Sequence, residues 1–186
     1  AVNLKDCHFL FIAKEEKPYP QEFDPEYIDV KAINAEWKYL KIIGDTLKAQ
    51  VLHFSAKERS GFIVKEIQSE VSVSPRASIL KDLFIETNNS KLSNYFAMRY
   101  NRFPDFLDFI ALVKMEANLK NATIDLRDVA YFAPQLRELP ITMVKMTGEG
   151  GGTVDNLTIN NADLSDGFST VNGNLNNYAF LITLLH

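Results

Sequence analysis

Cysteine is almost absent from this 186-residue chain. Cys7 stands alone, so no internal disulfide can form and no Cys-based zinc site exists. A single free thiol does not fix the compartment, because oxidising compartments also hold disulfide-free proteins. Histidine is scarce: His8, His53 and His186 are the only three. None lies at metal-ligand spacing from another His, a Cys or a carboxylate pair, so each reads as a structural or solvated residue and no metal is expected. Long apolar runs are missing as well. The most apolar uncharged stretch, Tyr178 to Leu185, falls far short of the ~20 residues that span a bilayer. Charge of one sign is not in excess either: 20 Lys and Arg against 24 Asp and Glu leave a formal net charge of −4. So mild an acidity gives no general attraction for nucleic acid.

What remains is an ordinary globular composition, 46% apolar and 24% charged, enough to bury a core and against a disordered chain. The pattern is β throughout, one β-rich unit over 1–186. Val2 to Ala13 carries no Gly or Pro. Lys14 to Pro25 is Pro-rich and charged and reads as an exposed loop. Ile28 to Ile43 looks extended, with Ile33, Ala35, Trp37 and Tyr39 on one face. Gly44-Asp45 supplies a hairpin turn, and Leu47 to Ala56 returns. Val71 and Val73 alternate with Ser72 and Ser74 before Pro75. Ala77 to Thr87 places Ile79, Leu83 and Ile85 on one face, and Leu92, Asn94, Phe96, Met98 and Tyr100 alternate with less apolar neighbours. The chain opens inside one strand-like stretch and stops inside an apolar one, which suggests a piece of a longer protein.

Two segments have helical period instead. Phe103, Phe106, Leu107 and Ile110 are spaced i, i+3, i+4, i+7, with Pro104 near the first helical position. Val129, Phe132, Ala133 and Leu136 repeat that spacing, with Asp128 as N-cap and Pro134 as the break. The helices expected are Pro104 to Leu112 and Asp128 to Ala133. A short echo also runs through the chain: Leu4-Lys5-Asp6-Cys7-His8-Phe9, Leu80-Lys81-Asp82-Leu83-Phe84-Ile85, Leu119-Lys120-Asn121-Ala122-Thr123-Ile124 and Val154-Asp155-Asn156-Leu157-Thr158-Ile159. Asp and Asn bond their own backbone and tolerate bends, so each copy can bend the chain. The alternatives are a degenerate repeat of stacked strands and chance.

Catalytic patterns are missing too. Gly148 to Gly152 is the only glycine-rich stretch. It has no following Lys-Ser or Lys-Thr and no following helix, so it reads as a flexible turn rather than a phosphate loop. Ser60 is not in a nucleophile elbow. Asp105 and Asp108 fit a solvated helix face as well as an acid pair. Asn88-Asn89-Ser90, Asn121-Ala122-Thr123 and Asn156-Leu157-Thr158 match the glycosylation pattern and equally fit turns. No catalytic, metal or cofactor-binding residue is nominated, and no enzyme is expected.

Several phrases, in order, resemble the TamB branch of the AsmA-like family: Glu58-Arg59-Ser60-Gly61-Phe62; Leu83 to Ser90; Met98-Arg99-Tyr100 leading to Asp105-Phe106-Leu107-Asp108-Phe109; Asp128 to Leu136; and Gly148 to Leu157. They cover roughly residues 45 to 175. The resemblance implies a long curved β-sheet with an apolar inner surface, a β-taco. It further implies a periplasmic protein anchored in the inner membrane of Gram-negative bacteria. The implied roles are phospholipid transport toward the outer membrane and assistance to outer-membrane protein assembly, without catalytic residues. Implied partners are phospholipid acyl chains and outer-membrane assembly proteins, and this stretch has no membrane span of its own.

The fold expected is therefore a mainly β, curved antiparallel groove with one or two short helices. Its lipid-facing candidates are Leu52, Phe54, Ala56, Val71, Val73, Ile79, Leu83 and Ile85. The same residues serve a closed dry core. A second function class is a β-rich module of the cell envelope that binds protein or glycan through Trp37, Tyr39, Tyr95 and Tyr100.

Overall fold

The computed structural model describes residues 1–13, 18–132, 134–138, 143–153 and 156–176. Ten strands form one curved, open antiparallel sheet whose spatial order is the order of the sequence. The strands are β1 (Val2–Ile12), β2 (Tyr27–Ile43), β3 (Thr46–Glu58), β4 (Ile63–Ser74), β5 (Ala77–Thr87), β6 (Lys91–Arg99), β7 (Lys114–Asp125), β8 (Met143–Thr153), β9 (Asn156–Ser165) and β10 (Thr170–Asn176). A 3₁₀ turn (Phe103–Asp108) runs into helix α1 (Phe109–Leu112) between β6 and β7. Helix α2 (Leu126–Val129) and a second 3₁₀ turn (Pro134–Glu138) follow β7.

Residues opposite one another in an antiparallel ladder share a face, so the register assigns the two faces. Val71, Leu80, Phe96, Ala117, Gly150 and Ile159 form one continuous row across six strands. Gln50, Glu70, Lys81, Tyr95, Asn118, Glu149 and Asn160 form a row on the other face. One face is apolar and the other polar from β2 to β10. A sheet with one solvated face produces this alternation.

The echo marks the bends. Asp6, Asp82 and Asn121 have φ of 49°, 48° and 51°, and each sits at a register shift. Their short polar side chains tolerate this left-handed conformation. The fourth copy belongs elsewhere. Val154 and Asp155 lie outside the described residues, and Asn156 opens β9. The matching bend is Asn161, φ 51°, in Ile159-Asn160-Asn161-Ala162-Asp163-Leu164. Cross-strand side chains bond three of the bulged amides: Asn34 Oδ1 accepts from Asp6 N, Thr147 Oγ1 from Asn121 N and Asn174 Oδ1 from Asn161 N. The ladder brings Asp82, Asn94, Asn121 and Asn161 to one level on β5, β6, β7 and β9. A bulge bends its strand and sharpens its twist, so an aligned row creases the sheet along its stacking direction.

The glycine stretch is a correction. Gly148 to Gly152 lies within strand β8, paired on both sides, and is not a turn. A Cβ at Gly150 would meet Thr158 O at 2.7 Å, and one at Gly151 would meet Met115 O at 2.9 Å. Close approach of the neighbouring backbones, not turn formation, requires glycine there.

The second helix is shifted as well. Its N-cap is Asp125, whose carboxylate accepts from Arg127 N, and Pro134 opens the following 3₁₀ turn. Asp128 has another task, described below. In the expected loop, residues 14–17 lie outside the described residues, and the rest is tied down. Phe23 N donates to Tyr131 O, and Arg137 bonds Gln21 O. Tyr178 to Leu185 and His186 also lie outside the described residues.

Candidate functional site

Among the described residues the apolar face is the extended feature that carries unmet chemistry. Among the described residues no second sheet or long helix lies against it. The chain exposes 11546 Å², against about 9,000 Å² for a compact monomer of this mass. Through β3 to β6 most of its large side chains, Leu47, Phe54, Ile67, Val71, Leu80, Ile85 and Phe96 among them, are only half buried, whereas two lipid-facing candidates, Leu83 and Ala56, are buried by their neighbours. Several polar side chains on this face are bonded within the protein, while the buried Trp37 Nε1 finds no hydrogen-bond partner among the described residues. Ser69 Oγ donates to Lys81 O, Ser78 Oγ pairs with Tyr100 Oη, and Asn94 Nδ2 donates to Asn118 O.

The register separates the candidate lipid-facing residues. Phe54, Ala56, Val71, Val73, Leu83 and Ile85 share the apolar face. Ile79 does not: it pairs with Ser72 and Ala97 on the polar face. The bulge at Asp82 shifts the alternation within β5, so Ile79 and Leu83 point to opposite sides. Leu52 is an extra residue, because Glu36 pairs with His53 and Trp37 with Val51.

Sequence reasoning missed the cover. A strap of α2 and the following 3₁₀ turn crosses the hairpin turns at one end of the sheet. Leu126 packs with Val144, Ile159, Ala162, Leu164 and Leu175 on the apolar face of β8 to β10, and Val129 packs against that cluster. Asp128 holds the strap to the β5–β6 turn. Its carboxylate accepts from Thr87 Oγ1 (2.5 Å), Asn89 N and Ser90 N (both 2.9 Å), and Asn89 Nδ2 (2.9 Å). Burial pushes the Asp128 carboxyl up, but these hydrogen bonds outweigh it and hold it below the usual range. The Arg127 guanidinium lowers Asp125 in the same way, against its burial. Further along, Phe132 packs on Phe23 and Phe62, and Tyr131 on Phe62. The signal was present in Asp128, read as a cap for its own helix rather than as a bond to a distant turn.

The aromatic candidates for a binding face do not converge. Tyr100 is buried, with its hydroxyl bonded to Ser74 O. Trp37 lies on the apolar face and Tyr95 on the polar one, bonded to Glu116. Tyr39 projects at a hairpin tip, 77% exposed.

His8 and His53 each bond one carboxylate on the polar face, Asp29 and Glu66, at 2.7 Å. Among the described residues no group of His, Cys, Asp or Glu could hold a metal ion. Asp105 accepts from the Asn101 and Arg102 amides, which fixes its own loop. Ser60 is buried, with its amide bonded to Glu58. No described helix is long and apolar enough to cross a membrane. The chain matches no family model, no curated protein and no solved structure in the three comparisons made.

Proposed function

We propose that this chain is a non-enzymatic lipid-handling segment whose apolar face receives phospholipid acyl chains. The observation that carries the reading is an apolar face that the strap covers over β8 to β10 and that, among the described residues, has no second layer over the strands before them. Burying acyl methylenes contributes about 0.8 kcal/mol per CH₂. A half-buried, largely aliphatic face accepts them with few polar groups that would need partners. The resemblance to the TamB branch of the AsmA-like family supports the same reading. It adds a setting: the periplasmic part of an inner-membrane-anchored protein, serving phospholipid transport or outer-membrane protein assembly.

Native mass spectrometry of the purified chain tests this directly, and bound phospholipid is the expected result. Val73→Asp with Ile85→Asp places two carboxylates on the apolar face. In an open groove they reach water, so the variant should stay folded, lose the lipid and melt slightly lower. A lipid-free wild type would sink the proposal. So would a double variant that unfolds while the polar-face control Lys57→Asp stays folded, since that is the behaviour of a closed core.

A further inference from the structure

We propose that the tip of the β2–β3 hairpin is a docking surface for an anionic lipid bilayer. β2 runs on to Ile43, whereas its pairing with β1 ends at Trp37. Beyond that point Tyr39, Leu40, Ile42 and Ile43 are 77%, 42%, 73% and 54% exposed. Large apolar side chains this concentrated on a monomer surface mark a contact site. Gly44, at φ 62°, makes the tight turn that displays them.

The charge of the same tip is unbalanced. Lys38, Lys41 and Lys48 against Asp45 give +2 between residues 38 and 48, in a chain of net −4. Lys41 and Lys48 stand directly opposite each other on one face, while Ile42 and Leu47 pair on the other. Like charges in that position repel, and no described carboxylate bridges either lysine. An anion supplied from outside relieves the repulsion. Phosphate headgroups beside a hydrocarbon layer match both halves of the pattern: lysines at the headgroups, tyrosine at the interface, isoleucines below it. Through Ile42, Leu47 and Val73 the tip continues the apolar face, but its bilayer contact does not depend on what the proposed groove holds.

Vesicle pelleting tests the proposal, with phosphatidylcholine alone and with phosphatidylcholine containing a quarter phosphatidylglycerol. The wild type should pellet with the anionic vesicles, release as salt rises, and stay in the supernatant when the vesicles are neutral. Lys41→Gln with Lys48→Gln should weaken binding about fivefold per lysine, with a melting temperature equal to or above the wild type. Ile42→Ser with Ile43→Ser should abolish it without changing the circular dichroism. Phe168→Ser, at the other end of the sheet and 99% exposed in the wild type, should bind normally. Equal binding to neutral vesicles, or tip variants that bind like the wild type, overturns the proposal. Self-association in light scattering that the isoleucine variant removes would assign the tip to a second copy of the chain.

Discussion

The two edge strands carry the same kind of face and end differently. Phe9 on β1 is 52% exposed and Leu175 on β10 is 7% exposed, though both point to the apolar side. Neither edge has a strand beyond it among the described residues, so pairing does not explain the difference. The strap does: Leu126 and Val129 lie over β8 to β10 and leave the apolar face of β1 to β3 open. Over β8 to β10 burial is conferred by this short covering segment; elsewhere on the apolar face most large side chains stay partly exposed, Leu83 excepted. The molecule therefore has a closed half and an open half built on one alternation.

Stability should follow that division. Leu164→Ala, in the closed half at 5% exposure, should cost about 2–4 kcal/mol, since transfer and cavity terms add. Phe9→Ala removes a larger side chain from the open half and should cost less, about 1–2 kcal/mol, because about half of its surface stays in water. Urea midpoints with an unchanged slope would read both. Equal costs would break the comparison.

The next effect separates the strap from the sheet. Asp128→Asn leaves donors of the β5–β6 turn short of an acceptor and should cost about 1–3 kcal/mol. Hydrogen exchange should rise across 126–138 and around Leu164, with β1 to β3 unchanged. The folded-state pKa of Asp128 is lowered, so its contribution is fully present above the unfolded value near pH 4 and is lost as pH falls through the folded value. The gap between wild type and variant should be constant from about pH 5 upward and shrink in stronger acid. A gap that widens on acidification would contradict the assignment.

The smallest effect tests what the halves share. Asp6→Val in the open half and Asn161→Val in the closed half each force a β-branched residue into the left-handed region, at about 1–2 kcal/mol. Similar shifts in melting temperature would show that the bends belong to the strands. A loss confined to Asn161 would show that the cover imposes them.

The strands were legible because one-sided burial imprints a period of two, and most turns carry Gly, Pro, Asp or Asn. The alternation misled where a bulge intervened. Ile79 and Leu83 are both apolar at even spacing, and only the left-handed Asp82 between them sends their side chains apart. The echo held the needed information at Asp6, Asp82 and Asn121, but its fourth copy was placed five residues early. Glycine is ambiguous in sequence: Gly148 to Gly152 serve close backbone approach, which depends on neighbouring strands that no local pattern describes. The strap escaped notice for the same reason. The partners of Asp128 are Thr87, Asn89 and Ser90, about forty positions away, and Phe132 meets Phe23 from further still.

The order of the strands also shapes how the molecule assembles. Each strand pairs with its neighbour in the chain, so the sheet can zip hairpin by hairpin, with short turns to close from β2 to β6. The strap is the exception, since Arg137 reaches back to Gln21 across 116 residues. That contact has to wait until the intervening strands exist. During synthesis the open half emerges first and presents its apolar side to water while β7 and the strap are still being made. Folding thus leaves a window in which that surface is free to meet an apolar ligand before the chain has finished closing over its other end.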